Sequence, residues 1–212
     1  MTNSGRALAF VAMAASMFAS TAWGDSDARV SPGQVVYHYV GRVKLDFVHG
    51  TATILAYVTH LEGVPSTVPL VSESSAGLSA TFTIRADVTF APLPANGDIA
   101  PLLINPGPIR MYHFTGTHFL NWSDPDTFSN GQLIAIFARE PEQLAVIGPI
   151  GTNTASAKLT SSPRFSFGGE NFDMGQLIPR GVTNVTTGGV TMLPGSTPTA
   201  PIFGFVGYAL AF

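Results

Sequence analysis

Alternation of apolar and polar residues over Leu78–Phe90 is the feature that most constrains how this chain can fold. Even-numbered positions in this segment are apolar, and odd-numbered positions carry Ser, Thr, Arg or Asp. Successive side chains of a β-strand point to opposite faces, so the pattern predicts a strand with one buried and one water-facing side. Burial of its large apolar side chains, including Phe82, Ile84 and Val88, would contribute about 6–12 kcal/mol. The same alternation assigns Thr83 to the water-facing side.

A second alternating region predicts a β-hairpin. Val35–Val48 alternates, His49-Gly50 follows, and Thr51–Leu61 has the pattern of the returning strand. A two-residue turn at His49-Gly50 pairs apolar residues with apolar residues and places Tyr39 opposite His60 on the apolar face.

Short strands separated by Gly and Pro account for the rest of the chain. Further strands are predicted at Arg110–Leu120, Gln132–Arg139, Leu144–Ile150, Ala155–Thr160, Arg164–Phe167 and Phe203–Phe212, with a hairpin formed by Thr183–Thr187 and Val190–Leu193. The segment Pro92–Pro108 is interpreted as a surface crossover. About eight to ten mostly antiparallel strands predict a single all-β domain, with a β-sandwich as the first prediction and a closed β-barrel as the alternative, because alternation is the same in both.

The N-terminal residues have the pattern of an export signal. Arg6 precedes the apolar run Ala7–Ala19, and Ala22-Trp23-Gly24 provides small residues at a cleavage site. An apolar run of about 13 residues suits a secretory signal and is too short to span a bilayer. We therefore expect residues 1–24 to be removed and residues 25–212 to form the exported domain, in the periplasm or secreted.

Charge and cysteine content exclude several classes of function. The formal net charge is −3, Lys44 and Lys158 are the only lysines, and cysteine is absent. A basic surface for nucleic acid or anionic lipid is therefore not expected, and neither are disulfides, thiol catalysis or thiolate metal sites. The histidines are too scattered along the predicted strands to share a metal ion, so neither a metal nor a cofactor is predicted.

Four residues are candidates for a binding site. His60 beside Tyr39 on an apolar face suits a general base or a ligand anchor, although a histidine at a strand end also bonds to backbone carbonyls. Asp124 and Asp126 lie in a polar loop and resemble a fragment of a calcium site, but Asp and Pro are equally common in turns. The sequence identifies no catalytic residue, because it contains no Gly-x-Ser-x-Gly and assembles no catalytic set.

The C-terminal residues resemble the last strand of bacterial outer-membrane β-barrels. That strand commonly ends on Phe with an aliphatic residue and Tyr before it, and here Tyr208, Leu210 and Phe212 match. The resemblance implies a membrane barrel with an apolar band facing lipid. Gln132–Arg139 opposes this interpretation, because it contains a continuous apolar run rather than alternation.

These observations lead to three hypotheses about function. The first is an exported soluble β-domain that acts as a binding or interaction module for a small apolar ligand, a glycan or a protein. The alternatives are a small outer-membrane β-barrel and a cofactor-independent enzyme that uses Tyr39 and His60 at the mouth of a barrel. The enzyme is not favoured, because no set of catalytic residues is evident.

Overall fold

The computed structural model describes residues 30–64 and 68–212, which form an all-β structure built around a closed antiparallel barrel. The strands are β1 (Val35–Asp46), β2 (Thr51–Leu61), β3 (Val71–Ser74), β4 (Gly77–Ala80), β5 (Phe82–Pro92), β6 (Ile99–Ile104), β7 (Gly107–His113), β8 (Gln132–Arg139), β9 (Glu142–Ile147), β10 (Ile150–Ser161), β11 (Phe165–Phe167), β12 (Glu170–Phe172), β13 (Gly181–Gly189) and β14 (Ile202–Ala211). A 3-10 helix covers Pro125–Phe128, and helix α1 covers Met174–Leu177. The predicted export signal lies outside the described residues.

Pairing between β14 and β1 closes the barrel. Neighbouring strands follow the order β1, β2, β5, β6–β7, β8–β9, β10, β13 and β14, and each is antiparallel to the next. Val40 lies opposite Val206 in the closing pair. The all-β prediction is confirmed, and the closed barrel replaces the β-sandwich as the architecture. Alternation alone does not distinguish them, because closure depends on pairing between the two ends of the chain.

Two neighbouring positions in the barrel wall are each filled by two short consecutive strands, and both are interrupted at the same level along the barrel axis. Strands β6 and β7 together run along β5, and β8 and β9 together run beside them, with Ile104 opposite Glu142 and Gly107 opposite Arg139. The expected surface crossover at Pro92–Pro108 is therefore wrong, because β6 lies inside it. Pro106 lies at the break between β6 and β7, where no ladder hydrogen bond is needed, whereas Pro101 and Pro108 lie within β6 and β7.

The β1–β2 hairpin has a wider turn than the sequence predicted. Leu45 lies opposite Ala52, and residues 47–50 form the turn, in which the Asp46 carboxylate accepts hydrogen bonds from two backbone amides. This two-residue slip keeps every side chain on its expected face. A register shift after His38 then places Tyr39 opposite Val58 and His38 opposite His60. The predicted Tyr39–His60 pair is therefore wrong.

The two ends of the barrel differ. At one end, called the closed end, the long connections between strands include the β11–β12 hairpin and α1, and buried Phe165, Phe172 and Leu177 fill the interior there. At the other end, called the mouth, the connections include the tight turns 47–50 and 148–149. Within residues 30–64 and 68–212, no helix has the length and apolar character needed to cross a membrane.

The outer face of β5 is partly covered by the connection that contains the 3-10 helix. Phe82, Ile84 and Val88 are buried as predicted. Thr83 is also fully buried, and its hydroxyl donates a 2.7 Å hydrogen bond to the carbonyl oxygen of Phe128. The predicted water-facing position of Thr83 is therefore wrong, because a connection distant in sequence packs over it.

Thr83→Val tests this covered face. The substitution keeps the shape of the side chain but leaves the buried Phe128 carbonyl without its donor, so we expect the free energy of unfolding to fall by about 1–3 kcal/mol. Thr154→Val replaces an exposed threonine on the outer face of β10, so it should change the free energy of unfolding by less than about 0.5 kcal/mol. Urea denaturation of both variants gives the comparison, and equal values would contradict the buried position.

His113 lies among aromatic rings at the closed end. Its ring centroid is 5.1 Å from that of Phe82 and 5.4 Å from that of Phe165, and its Nδ1 has no hydrogen-bond partner. Burial lowers the pKa of His113 below its ordinary value of 6.5. The unfolded chain therefore binds a proton at a higher pH than the folded protein does, and stability falls as the pH drops below 6.5.

His113→Phe should remove this contribution to acid sensitivity. Between about pH 7.5 and about pH 5, we expect wild-type protein to lose more free energy of unfolding than His113→Phe does, because only wild type has this histidine to protonate. Urea denaturation of both proteins at both pH values provides the measurement, and identical pH dependence of the two would contradict a buried neutral His113.

Candidate ligand-binding cavity

The barrel encloses a cavity of about 130 Å³ that adjoins a larger chamber of about 360 Å³ towards the mouth. The two spaces share Val43, Leu144, Thr186 and Phe205 as walls. A cavity of about 150 Å³ admits a benzene-sized molecule, so the inner cavity has room for one small group and the chamber for a longer body. Together they form a candidate ligand site.

The chamber is apolar. Leu45, Leu102, Val146 and Phe203 contribute to its walls. At its edge Phe47 is 46% exposed and packs edge-to-face against buried Phe90. The connections and strand ends at the mouth carry further exposed apolar side chains, namely Val48, Ile147, Ile150 and Met192. An apolar molecule would therefore meet apolar surface from the rim inwards.

The inner cavity contains a buried ion pair where the barrel wall is interrupted. Arg139 ends β8 and Glu142 begins β9, and their side chains are only 2% and 5% exposed. Arg139 Nη1 donates to Glu142 Oε1 over 3.2 Å, and Nη2 donates to the Asn105 carbonyl oxygen over 3.3 Å. Arg139 thus connects the break between β8 and β9 to the break between β6 and β7.

Several polar atoms in this cavity have no partner. Among residues 30–64 and 68–212, five buried side-chain nitrogen or oxygen atoms lack a hydrogen-bond partner, and four of them belong to cavity-lining residues. These four are Arg139 Nε, Glu142 Oε2, Asn153 Nδ2 and Asn184 Nδ2. Buried polar atoms are nearly always paired in proteins, so this concentration at one place calls for an explanation.

Two tyrosines complete the polar part of the lining. The Tyr37 hydroxyl donates to Asn184 Oδ1 over 3.1 Å, and the Tyr39 hydroxyl lies 2.7 Å from Thr186 Oγ1. Tyr39 reaches across β14 because its directly opposed residue there is Gly207. A Cβ at position 207 would lie 2.5 Å from the Tyr39 hydroxyl oxygen, so glycine is required for this contact.

Burial dominates the electrostatics of the cavity. It raises the pKa of the Glu142 carboxyl, an effect opposed by the positive charge of Arg139 and then by the nearby Asn153 amide, whose Nδ2 lies outside hydrogen-bonding geometry. Burial also lowers the pKa of Arg139, and Glu142 opposes that shift. The pKa of Tyr39 rises to about 12, again mainly because of burial. The site can hold a proton-donating tyrosine beside a carboxylate and a guanidinium.

The structure separates the four candidate residues. Tyr39 lines the cavity, whereas His60 lies on the outer surface, where its Nε2 is 3.2 Å from Glu62 Oε2. Asp124 caps the 3-10 helix by accepting from the Asp126 amide, and Asp126 forms a 2.8 Å ion pair with Arg85. In the part of the chain that the structure describes, no three His, Asp or Glu side chains group in a way that would hold a metal ion.

Arg139, Glu142, Asn153 and Asn184 line the cavity but were not predicted from the sequence. A usable signal existed for two of them. In a strand, residues two apart share a face, so Arg139 lies on the same buried face of β8 as Phe137, and Asn184 lies on the same buried face of β13 as Val182. Glu142 and Asn153 gave no such signal, because their strands were predicted to begin later in the sequence.

Comparison with protein-family models, with curated proteins and with solved structures gives no match. What the fold and the site define is a class: an up-and-down antiparallel β-barrel with an internal cavity that is apolar towards its mouth and polar at its inner part.

Gly207→Ala tests the packing of Tyr39. The added methyl group would lie 2.5 Å from both the Tyr39 ring and the Val185 carbonyl oxygen, so we expect the free energy of unfolding to fall by about 1–3 kcal/mol. Gly204→Ala is a matched control on the same strand, because its Cβ would meet only the Leu193 side chain at an ordinary 3.8 Å. In a Tyr39→Ala background the cost of Gly207→Ala should shrink but not vanish, because the contact with the Val185 carbonyl oxygen is still present. Equal costs with and without Tyr39 would contradict the contact.

Proposed function

We propose that this protein binds a small, mainly apolar molecule inside its barrel. The observation that carries the proposal is the interior itself: an apolar chamber near the mouth leads to a cavity whose polar atoms lack partners. Binding sites for small molecules are typically apolar concavities with a few polar groups that fix orientation. Tyr39 is the sequence-derived candidate that belongs to this site.

Close packing of aromatic side chains at the closed end supports the proposal that a ligand enters through the mouth. Buried Phe82, Phe165 and Phe172 pack together and fill the interior at the closed end. The groove of about 420 Å³ beside Phe165 and Phe172 is lined mostly by polar residues, unlike the chamber at the mouth. Phe47, by contrast, is half exposed at the edge of the chamber. A ligand would enter beside Phe47 and move towards Tyr39.

The distribution of polar residues supports a barrel in water over the outer-membrane alternative. Outward positions on β1, β5 and β10 carry exposed Lys44, Asp87 and Lys158, whereas the inward positions are largely apolar. Membrane barrels have the opposite arrangement, with an apolar outer band and a polar interior. Export to the periplasm or the medium remains part of the proposal, on the strength of residues 1–24.

The same interior favours a small molecule over a glycan or a protein. Sugar hydroxyls require many hydrogen-bonding partners, but the chamber walls offer almost only hydrocarbon. A protein partner would contact the rim and leave the inner cavity unused. The enzyme alternative loses its proposed pair, because Tyr39 and His60 lie on opposite faces of the sheet.

Ala155→Leu tests the proposal by filling the cavity. Ala155 is 4% exposed and lines the cavity, so a larger side chain there would occupy the space of the ligand. The neutral fluorophore N-phenylnaphthylamine should gain fluorescence with wild type, and Ala155→Leu should weaken its binding at least about tenfold, or about 1.4 kcal/mol.

Thr154→Leu is the matched control, because it adds leucine to the outer face of the same strand. It should bind the fluorophore as wild type does. Thermal unfolding of both variants checks that the barrel is intact. Absence of binding to wild type, or equal weakening by both substitutions, would overturn the proposal.

A further inference from the structure

We propose that the inner cavity recognises an uncharged head group that carries a hydroxyl, and that the ligand is therefore an apolar alcohol or hydroxycarbonyl compound. This inference rests on the proposed function, and it identifies the chemical class of the ligand. It is carried by the four unpartnered atoms of Arg139, Glu142, Asn153 and Asn184.

The unpartnered atoms define which hydrogen bonds a ligand must make. Arg139 Nε, Asn153 Nδ2 and Asn184 Nδ2 are donors, and Glu142 Oε2 is an acceptor. A hydroxyl group offers one hydrogen and two lone pairs, so it can donate to the carboxylate and accept from the surrounding donors. A carbonyl beside the hydroxyl would use the remaining donors. A pure hydrocarbon would leave all four atoms unpaired.

The charge of the site selects against ionised ligands. Arg139 and Glu142 neutralise each other at 3.2 Å, and both side chains are at least nine-tenths buried. An added carboxylate would share one guanidinium with Glu142 in a medium of low polarity, and an added ammonium would compete with Arg139 for one carboxylate. Either ligand would leave one uncompensated charge inside the barrel.

The stability of the fold does not account for the unpartnered atoms of the polar cluster. A buried ion pair can often be replaced by apolar residues without loss of stability, and unpaired buried donors are unfavourable. Burial raises the pKa of Glu142 and lowers that of Arg139, which indicates that both charges are held against a desolvation penalty. Bound ligand would provide the missing partners.

The position of the cluster fixes the orientation of the ligand. The polar atoms line the inner cavity, and the walls towards the mouth are apolar. The hydroxyl end would therefore bind beside Arg139 and Glu142, and the apolar end would extend past Phe203 towards Phe47. An inner cavity of about 130 Å³ admits a head group and a short segment only.

A series of four probes with the same chain length tests the inference on wild-type protein at about pH 7. The probes n-octane, n-octanol, octanoate and octylammonium compete with N-phenylnaphthylamine for the barrel. We expect n-octanol to bind at least about tenfold more tightly than each of the other three, because only n-octanol can hydrogen-bond to the cluster without adding charge. Tighter binding of octanoate or octylammonium would overturn the inference.

The hydrocarbon probe separates failure of this inference from failure of the proposed function. If n-octane and n-octanol displace the fluorophore equally well, the barrel binds apolar molecules but the head-group inference is wrong. If no probe binds and the fluorophore does not bind either, the proposed function itself is wrong.

Glu142→Gln should change the selectivity. It leaves the Arg139 charge without its neutralising partner, so octanoate should bind at least about tenfold more tightly to the variant than to wild type. Glu140→Gln is the matched control, since it removes the same charge from an exposed glutamate paired with Lys158. Its probe selectivity should equal that of wild type. Unchanged octanoate binding to a folded Glu142→Gln variant would overturn the inference.

The double variant Arg139→Met, Glu142→Leu covers the case in which Glu142→Gln does not fold. It removes both charges together, so neither is left buried without a partner. We expect n-octanol to lose its advantage over n-octane in this variant, while n-octane binds at least as well as to wild type. Retention of the full preference for n-octanol would show that Arg139 and Glu142 do not recognise the head group.

Discussion

Pairing between β1 and β14 is the interaction on which the rest of the structure depends. It joins the two ends of the described domain, removes both free edges of the sheet and separates an interior from the solvent. Aromatic rings and glycines oppose each other across this pair, with Tyr39 against Gly207 and Phe205 against Gly41. The rings lie over the opposing backbone and form part of the cavity wall. Closure of the fold and construction of the site therefore use the same residues.

The interior contains two environments, one that favours stability of the fold and one that favours binding of a partner. Around Phe82 and Phe165, apolar side chains are closely packed, which stabilises the fold. Around Arg139 and Glu142, charged groups are held away from water with some of their hydrogen-bonding capacity unused. Such groups reduce stability unless a partner is present, and this arrangement is typical of sites where function and stability compete.

Local patterns in the sequence were enough to predict most strands but not their assembly. β2 and β8 have the bounds predicted for them, because the alternation in β2, the apolar run in β8 and the bounding turns are all local signals. Closure, the covering of Thr83 and the inclusion of β6 in the wall depend on contacts between distant segments. The site was only partly predictable: Tyr39 follows from alternation, whereas one register shift moved His60 to the outside. Arg139 was overlooked because a charged residue at a strand end is ordinarily exposed.

The interruption of the wall at Asn105-Pro106 and Glu140-Pro141 has a consequence for solvent exchange. Pro106 and Pro141 provide no amide hydrogen, so neither can donate to a neighbouring strand where the wall is interrupted, and Arg139 bridges the interruption through the Asn105 carbonyl. Local opening of a sheet begins where it has the fewest backbone hydrogen bonds. Amides that flank this gap should therefore be the first of the barrel wall to exchange with deuterium, and an occupied cavity would slow them.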